Sequence, residues 1–220
     1  MPRERHELFR DSGTKSKEKI IVLAFEGNDT ERLYFEALKD DVKFENDVIH
    51  LHLLKRPKDD TNSAPRHVYA KLKKESRDEY NFDRTDELWM IIDRDRWPNI
   101  PQIIEECNKE SNFFVAVSSP CFEFWLLLHR FEVSHFTEEE QVYLIRNNRI
   151  SANRTYIENL LSTKVEGGYS KTNPRPERFL PNIREAIERA EALDSPDQLY
   201  PTQLGSHVFK VAKVILNIRD

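Results

Sequence analysis

Between residues 19 and 131, short apolar runs alternate with amphipathic stretches, and few folds satisfy that alternation. The runs are "KIIVLAF" (19–25), "DVIHLHLLK" (47–55), "DELWMIID" (86–93) and "NFFVAVSS" (112–119). Continuous apolar runs of this length are expected of strands buried on both faces. The stretches between them carry helical spacing. Asp29 or Thr30 caps a helix with Leu33, Tyr34 and Leu38 inward. Residues 64–80 form a second helix with Ala64, Val68 and Leu72 inward, "IPQIIEECNKE" (100–110) a third, and "CFEFWLLLHRF" (121–131) an apolar fourth. Strand and helix in alternation imply a parallel, doubly wound α/β sheet.

The pattern changes after residue 131. Helical stretches are expected at about 138–147, 153–163, 180–193 and 204–218, with Pro and Gly between them. Residues 1–18 have no periodicity and read as a mobile arm. The expected plan is an arm (1–18), an α/β core (19–131) and a helical extension (132–220) packed on that core. No apolar run approaches the ~20 residues of a membrane span, and the charged N-terminus lacks the apolar core of a signal peptide. Cys107 and Cys121 make no disulfide or zinc framework by themselves. These features read as a soluble, cytoplasmic protein.

A net charge of -5 argues against a uniformly basic nucleic-acid binder. The charge is unevenly spread, however. Residues 55–77 hold eight Lys or Arg against three acids. Lys55, Arg56, Lys58, Lys71, Lys73 and Lys74 are therefore candidate phosphate contacts, although a solvated helix face has the same composition. The loop 163–179 offers Lys171 and Arg175 to a phosphate in the same way, or is an ordinary surface connection.

Ligands of open parallel sheets bind at the carboxyl ends of the strands, and this sequence places acids there three times. Glu26 follows the first strand, Asp93 and Asp95 follow the third, and Glu123 follows the fourth, at the first turn of a helix. Converging carboxylates repel one another unless a cation joins them. Hard divalent ions, Mg²⁺ or Mn²⁺, accept such ligands and leave room for water and phosphate oxygens. Glu26, Asp93, Asp95 and Glu123 are thus candidate metal ligands. The bland alternative is that Glu26 and Asp93 merely cap the helices that follow.

Three segments, "EGNDTERLYF", "IIDRDRW" and "SPCFEFWLLLH", resemble in order and spacing the motifs of RloB-like proteins, a branch of the TOPRIM superfamily found in bacterial abortive-infection loci. The resemblance implies a TOPRIM-like sheet of strand order 2-1-3-4, which would bring Glu26, Asp93, Asp95 and Glu123 into one cleft. It implies Mg²⁺ on the first-strand glutamate and the D-x-D, with Glu26 also active in proton transfer. It further implies a nuclease acting on DNA or RNA in phage defence, partnered by an AAA- or ABC-type ATPase. Glu123 would complete the shell or activate water, and Lys171 would neutralise charge as a catalytic cation. No Walker loop or dinucleotide fingerprint occurs in the chain, so an ATP-driven step falls to a partner. Two other functions fit the same acids: a nucleotidyl or sugar-nucleotide transferase using the D-x-D, and a non-catalytic module docking on an ATPase.

The remaining polar residues have structural expectations. Glu31 reads as a favourable charge at a helix N-terminus rather than a supporting partner for a Lys or Arg, His50 and His52 as core or edge residues rather than a metal pair, and His129 as a cation at a helix C-terminus. Cys121 reads as a packing residue, and Trp97 and Trp125 as core or rim aromatics.

Overall fold

The computed structural model describes residues 19–27, 29–41, 49–54, 64–79, 82, 84–94 and 97–218. The expected arm at 1–18 lies outside the described residues, as do Asp95, Lys55, Arg56 and Lys58.

The elements run β1 (Lys19–Phe25), α1 (Thr30–Asp40), β2 (Ile49–Leu53), α2 (Pro65–Glu79), β3 (Glu87–Asp93), α3 (Ile100–Cys107), β4 (Phe113–Ser119) and α4 (Phe122–Leu128). The chain continues through α5 (Glu138–Arg146), β5 (Arg149–Ser151), β6 (Arg154–Thr155), α6 (Tyr156–Lys164), α7 (Ile183–Ala192), β7 (Gly205–Ser206) and α8 (Val208–Ile215). The main sheet has the order β2-β1-β3-β4-β7. Its first four strands are parallel, in the expected order 2-1-3-4.

Alternation along the strands divides the core into two layers. Ile20, Val22, Ala24, Leu88, Met90 and Ile92 pack with Val68 and Leu72 of α2 and Ile100, Ile103 and Ile104 of α3. Ile21, Leu23, Phe25, Trp89 and Ile91 face the other way, onto α1, α4 and the C-terminal helices. The residues after 131 therefore share one apolar layer with α1 and α4.

The C-terminal segment also supplies strands, which the helical expectation for it omitted. β7 pairs antiparallel with β4, Ser118 opposite Ser206, and their hydroxyls lie 2.8 Å apart. A two-residue strand is too short to show a period of two, so no sequence pattern announces it.

His129 corrects a second expectation. It is buried, with Nδ1 donating to Trp125 O at 2.9 Å, so Nε2 accepts from the Tyr34 hydroxyl at 2.9 Å. Burial drives its pKa down to about 3, and the imidazole is neutral. It does not act as a cation at the helix end. It ties α1 to α4 through a satisfied buried hydrogen bond.

Candidate active site

The register sets the site. Phe25 lies opposite Ile91, Ile91 opposite Ala116, and Asp93 opposite Ser118, so β1, β3 and β4 end at one level. Glu26 is the first residue beyond β1, and its backbone N–H still donates to Ile91 O at 3.0 Å. Its carboxylate then turns along the sheet edge. Oε2 accepts from Asp93 N at 3.0 Å and Oε1 from the Trp97 indole at 2.8 Å. Trp97 thus orients the first-strand glutamate while packing partly buried against the α2–α3 layer.

Gly27 explains the Glu-Gly pair. A Cβ there would stand 2.2 Å from Glu31 Oε2. Without it the Glu31 carboxylate folds back over the turn and accepts from Gly27 N at 3.2 Å. Glu31 is only 6% exposed. Burial, then the negative charge of Glu123 and of Glu26, pushes its pKa up to about 7. It is a member of the acid cluster as well as a first-turn acid of α1. Its place one turn after the strand-end Gly27 was the available signal.

Asp93 ends β3. Its Oδ1 accepts from Phe122 N at 2.8 Å, the first residue of α4, so it does cap a helix, although not the one that follows it in sequence. Burial pushes its carboxyl well above the usual range, reinforced by Glu31, Glu123 and Glu26 and opposed by Lys171. Glu123 sits in the first turn of α4, 4% exposed. Its Oε1 accepts from the Tyr169 hydroxyl at 2.9 Å and faces Lys171 Nζ at 3.4 Å.

The loop after α6 delivers the counter-charge. Lys171 Nζ lies 2.8 Å from Glu158 Oε1. Partial desolvation works against its charge, although the side chain is 58% exposed, and Glu123 and Glu158 outweigh it, so the ammonium is held protonated. Glu158 also closes a capping box with Thr155 at the start of α6. The Thr30 hydroxyl, at the start of α1, lies 3.3 Å from both the Tyr169 hydroxyl and the Lys171 carbonyl and fastens the loop. Sequence reasoning passed over Tyr169 and Glu158. The pattern T-x-x-E at 155–158 marks a helix start, and nothing local shows that the same glutamate faces a lysine.

Asp93, Glu123, Glu158 and Lys171 line a cleft of about 890 Å³, walled by the chain from the end of α5 to the start of α6. Glu26, Glu31, Asp93, Glu123 and Lys171 are thereby brought within electrostatic reach of one another. The candidate phosphate contacts on α2 are placed elsewhere. Lys73 pairs with Glu110 at 2.6 Å, just before β4 begins and so at the opposite end of that strand. Neither it nor Lys71 nor Lys74 lines the cleft. Arg175 turns onto its own loop, donating to Gly167 O at 3.2 Å. Cys121 lines the cleft, but burial, reinforced by Glu123, holds its thiol well above the usual range, so it stays protonated.

A model of the RloB-like protein family matches residues 21–215. The chain belongs to the RloB-like family. The matched region takes in the three strand ends together with Glu158, Tyr169 and Lys171. A search of the curated proteins and of the solved structures found no match.

In this RloB-like chain the donor set has the chemistry of a hard-cation site. At the strand ends Glu26, Glu31, Asp93 and Glu123 share the cation Lys171, and the repulsion among these carboxylates raises Asp93 and Glu31 beyond the effect of burial. A divalent ion would remove that repulsion. Among the described residues, no three His, Cys, Asp or Glu side chains are already gathered about one point as ligands. Their oxygens are held instead by Asp93 N, Trp97, Phe122 N, Tyr169 and Lys171. Also among the described residues, no helix is long and apolar enough to cross a membrane.

Proposed function

We propose that this RloB-like chain is a metal-dependent nuclease that hydrolyses phosphodiester bonds, with Mg²⁺ or Mn²⁺ held by Glu26, Asp93 and Asp95. The observation that carries the reading is the meeting of Glu26, Glu31, Asp93 and Glu123 at the carboxyl ends of three adjacent parallel strands. Asp93 and Glu31 have their ionisation suppressed by burial and by the carboxylates around them, a repulsion that a cation would relieve, and an acid of perturbed pKa in a cleft, as Asp93 is, supports a reactive site.

Bound there, the ion would polarise the phosphoryl group and make a water nucleophilic at neutral pH. The chain's own residues have separable tasks. Glu26, fixed by Trp97 and Asp93 N, presents its carboxylate at the sheet edge. Glu123, held by Tyr169, accepts a proton from the attacking water or completes the metal shell. Lys171 offsets the negative charge that develops on the phosphorane oxygens. Tyr169 is buried, with its hydroxyl pKa raised by that burial and by Glu123. It is a hydrogen-bond donor to Glu123 and not a nucleophile. The cellular role that accords with family membership is defence against phage, in the cytoplasm, with an ATPase partner supplying any ATP-driven step.

Incubation of labelled plasmid, linear duplex, single-stranded DNA and total tRNA with Mg²⁺ or Mn²⁺ tests this reading. Cleavage by the wild-type protein, lost in EDTA and in Asp93→Ala, is the expected result. Cleavage that persists in Asp93→Ala and Glu26→Ala would overturn the assignment of the site. Mn²⁺ titration calorimetry adds a readout independent of turnover.

A further inference from the structure

Facing the buried acids across the cleft are the end of α5 and the β5–β6 hairpin. Arg146 ends α5, Arg149 opens β5 and Arg154 opens β6, and all three are exposed and line the cleft with Asp93, Glu123 and Lys171. Some described cations elsewhere are matched to acids, and others, such as Arg184 on α7, are not. Arg32 lies 2.6 Å from Glu36, Lys19 2.5 Å from Glu87 and Lys210 3.0 Å from Asp194. Among the described residues, Arg146, Arg149 and Arg154 have no carboxylate partner. The Arg149 guanidinium donates to the Ala152 carbonyl, at 3.4 Å.

A helix C-terminus accounts for Arg146 by itself. It does not account for Arg149 and Arg154, which sit on separate short strands. Three like charges turned toward one cleft repel one another unless an anion joins them, as the carboxylates opposite do unless a cation joins them. Guanidinium forks match phosphate oxygens two at a time. A cleft of about 890 Å³ falls within the size range of small-ligand sites. It has room for a few nucleotides of an extended strand.

We propose that Arg146, Arg149 and Arg154 form a phosphate rail that lays an unpaired nucleic-acid strand across the acid cluster. The proposal rests on the phosphodiester reading above and names the substrate class for that site. The rail contacts backbone, so it sets position and polarity and leaves base identity unread.

Fluorescence anisotropy of labelled single-stranded DNA, single-stranded RNA and blunt duplex, in EDTA across a salt titration, tests the rail without any turnover. The wild-type protein binds a single strand, DNA or RNA, more tightly than the duplex. Each lost phosphate contact lowers the salt slope of a single-strand complex by about 0.7. The triple variant Arg146→Gln, Arg149→Gln, Arg154→Gln should therefore lose about 2 from that slope and at least tenfold in affinity at low salt. Its melting temperature should be unchanged, because all three side chains are exposed. Arg184→Gln, exposed on α7, serves as the control. Unchanged slope and affinity in the triple variant, preference for duplex, or no strand binding by the wild type would each overturn the rail. Rail-dependent binding without cleavage of any polymer would leave the rail standing and remove the hydrolytic reading. Cleavage undiminished in the triple variant would do the reverse.

Discussion

The Lys171 ammonium stands 2.8 Å from Glu158 Oε1, joining a loop lysine to the capping glutamate of α6. The same ammonium faces Glu123 Oε1 at 3.4 Å. Glu158→Gln keeps the capping box, which Gln also satisfies, and removes the ion pair. It should lower kcat about tenfold with little change in melting temperature. Glu158→Ala also removes the reciprocal half of the capping box, while Thr155 still caps the helix, and should cost a further amount below about 1 kcal/mol. Lys171→Met should lower kcat on the order of 10²-fold, as for loss of a donor to a developing oxyanion. Steady-state kinetics beside thermal melts separates the two roles; a kcat unmoved by Glu158→Gln would show that the pair is structural only.

The raised pKa of Glu31 makes stability depend on pH in a defined direction. Its carboxyl moves from 4.5 to about 7 on folding. Between those values the folded chain holds a proton that the unfolded chain has lost, so stability falls as pH rises through that window. Asp93 has a shift of the same sign. At about 1.4 kcal/mol per pH unit, Glu31 contributes at most roughly 3 kcal/mol to the loss. Urea unfolding in EDTA should therefore show lower stability at pH 8 than at pH 5. Glu31→Gln should be the more stable protein at pH 8 and lose part of the slope. A variant with the wild-type slope would place the titration elsewhere.

Divalent cations should reverse that loss. An ion that binds the folded chain alone adds about 2.7 kcal/mol at a hundredfold excess over Kd. Mg²⁺ or Mn²⁺ should raise the melting temperature at pH 8, with a smaller rise at pH 5, where protons compete for the same oxygens. Asp93→Asn should be stabilised without metal and indifferent to it. If Asp93→Asn keeps the full metal-induced rise, the ion sits away from the strand ends.

Gly27 has a role that its small size conceals. Gly27→Ala places a methyl group where the Glu31 carboxylate lies, and that carboxylate is the flexible end of a side chain, so it moves aside. The backbone is not forced to break, and the stability cost should be on the order of 1 kcal/mol. The Mn²⁺ affinity of the cluster should fall with it, read by calorimetry. An unchanged affinity would show that Glu31 lies outside the metal's influence.

The sequence alone determined the layers and the places where acids emerge. Runs such as 19–25 and 86–93 are apolar on both faces, which only a covered sheet tolerates. A carboxylate just past such a run is obliged to leave the core, so Glu26 and Asp93 were legible as strand-end residues, and Glu123 as a first-turn acid. The family motifs carried the order 2-1-3-4. What the tertiary structure decided is which charges meet. Glu31 looks like an ordinary helix-start acid until Gly27 lets it fold over the turn. Lys171 and Tyr169 reach Glu123 across more than forty residues. Lys73 belongs to a basic run yet is neutralised by Glu110 on the far side of the fold. His129 looks like a helix-end cation until burial against Tyr34 makes it neutral. Hydrophobic period is a local property of the chain and survives in the one-dimensional record. Charge pairing depends on distances between segments that only the packed core sets.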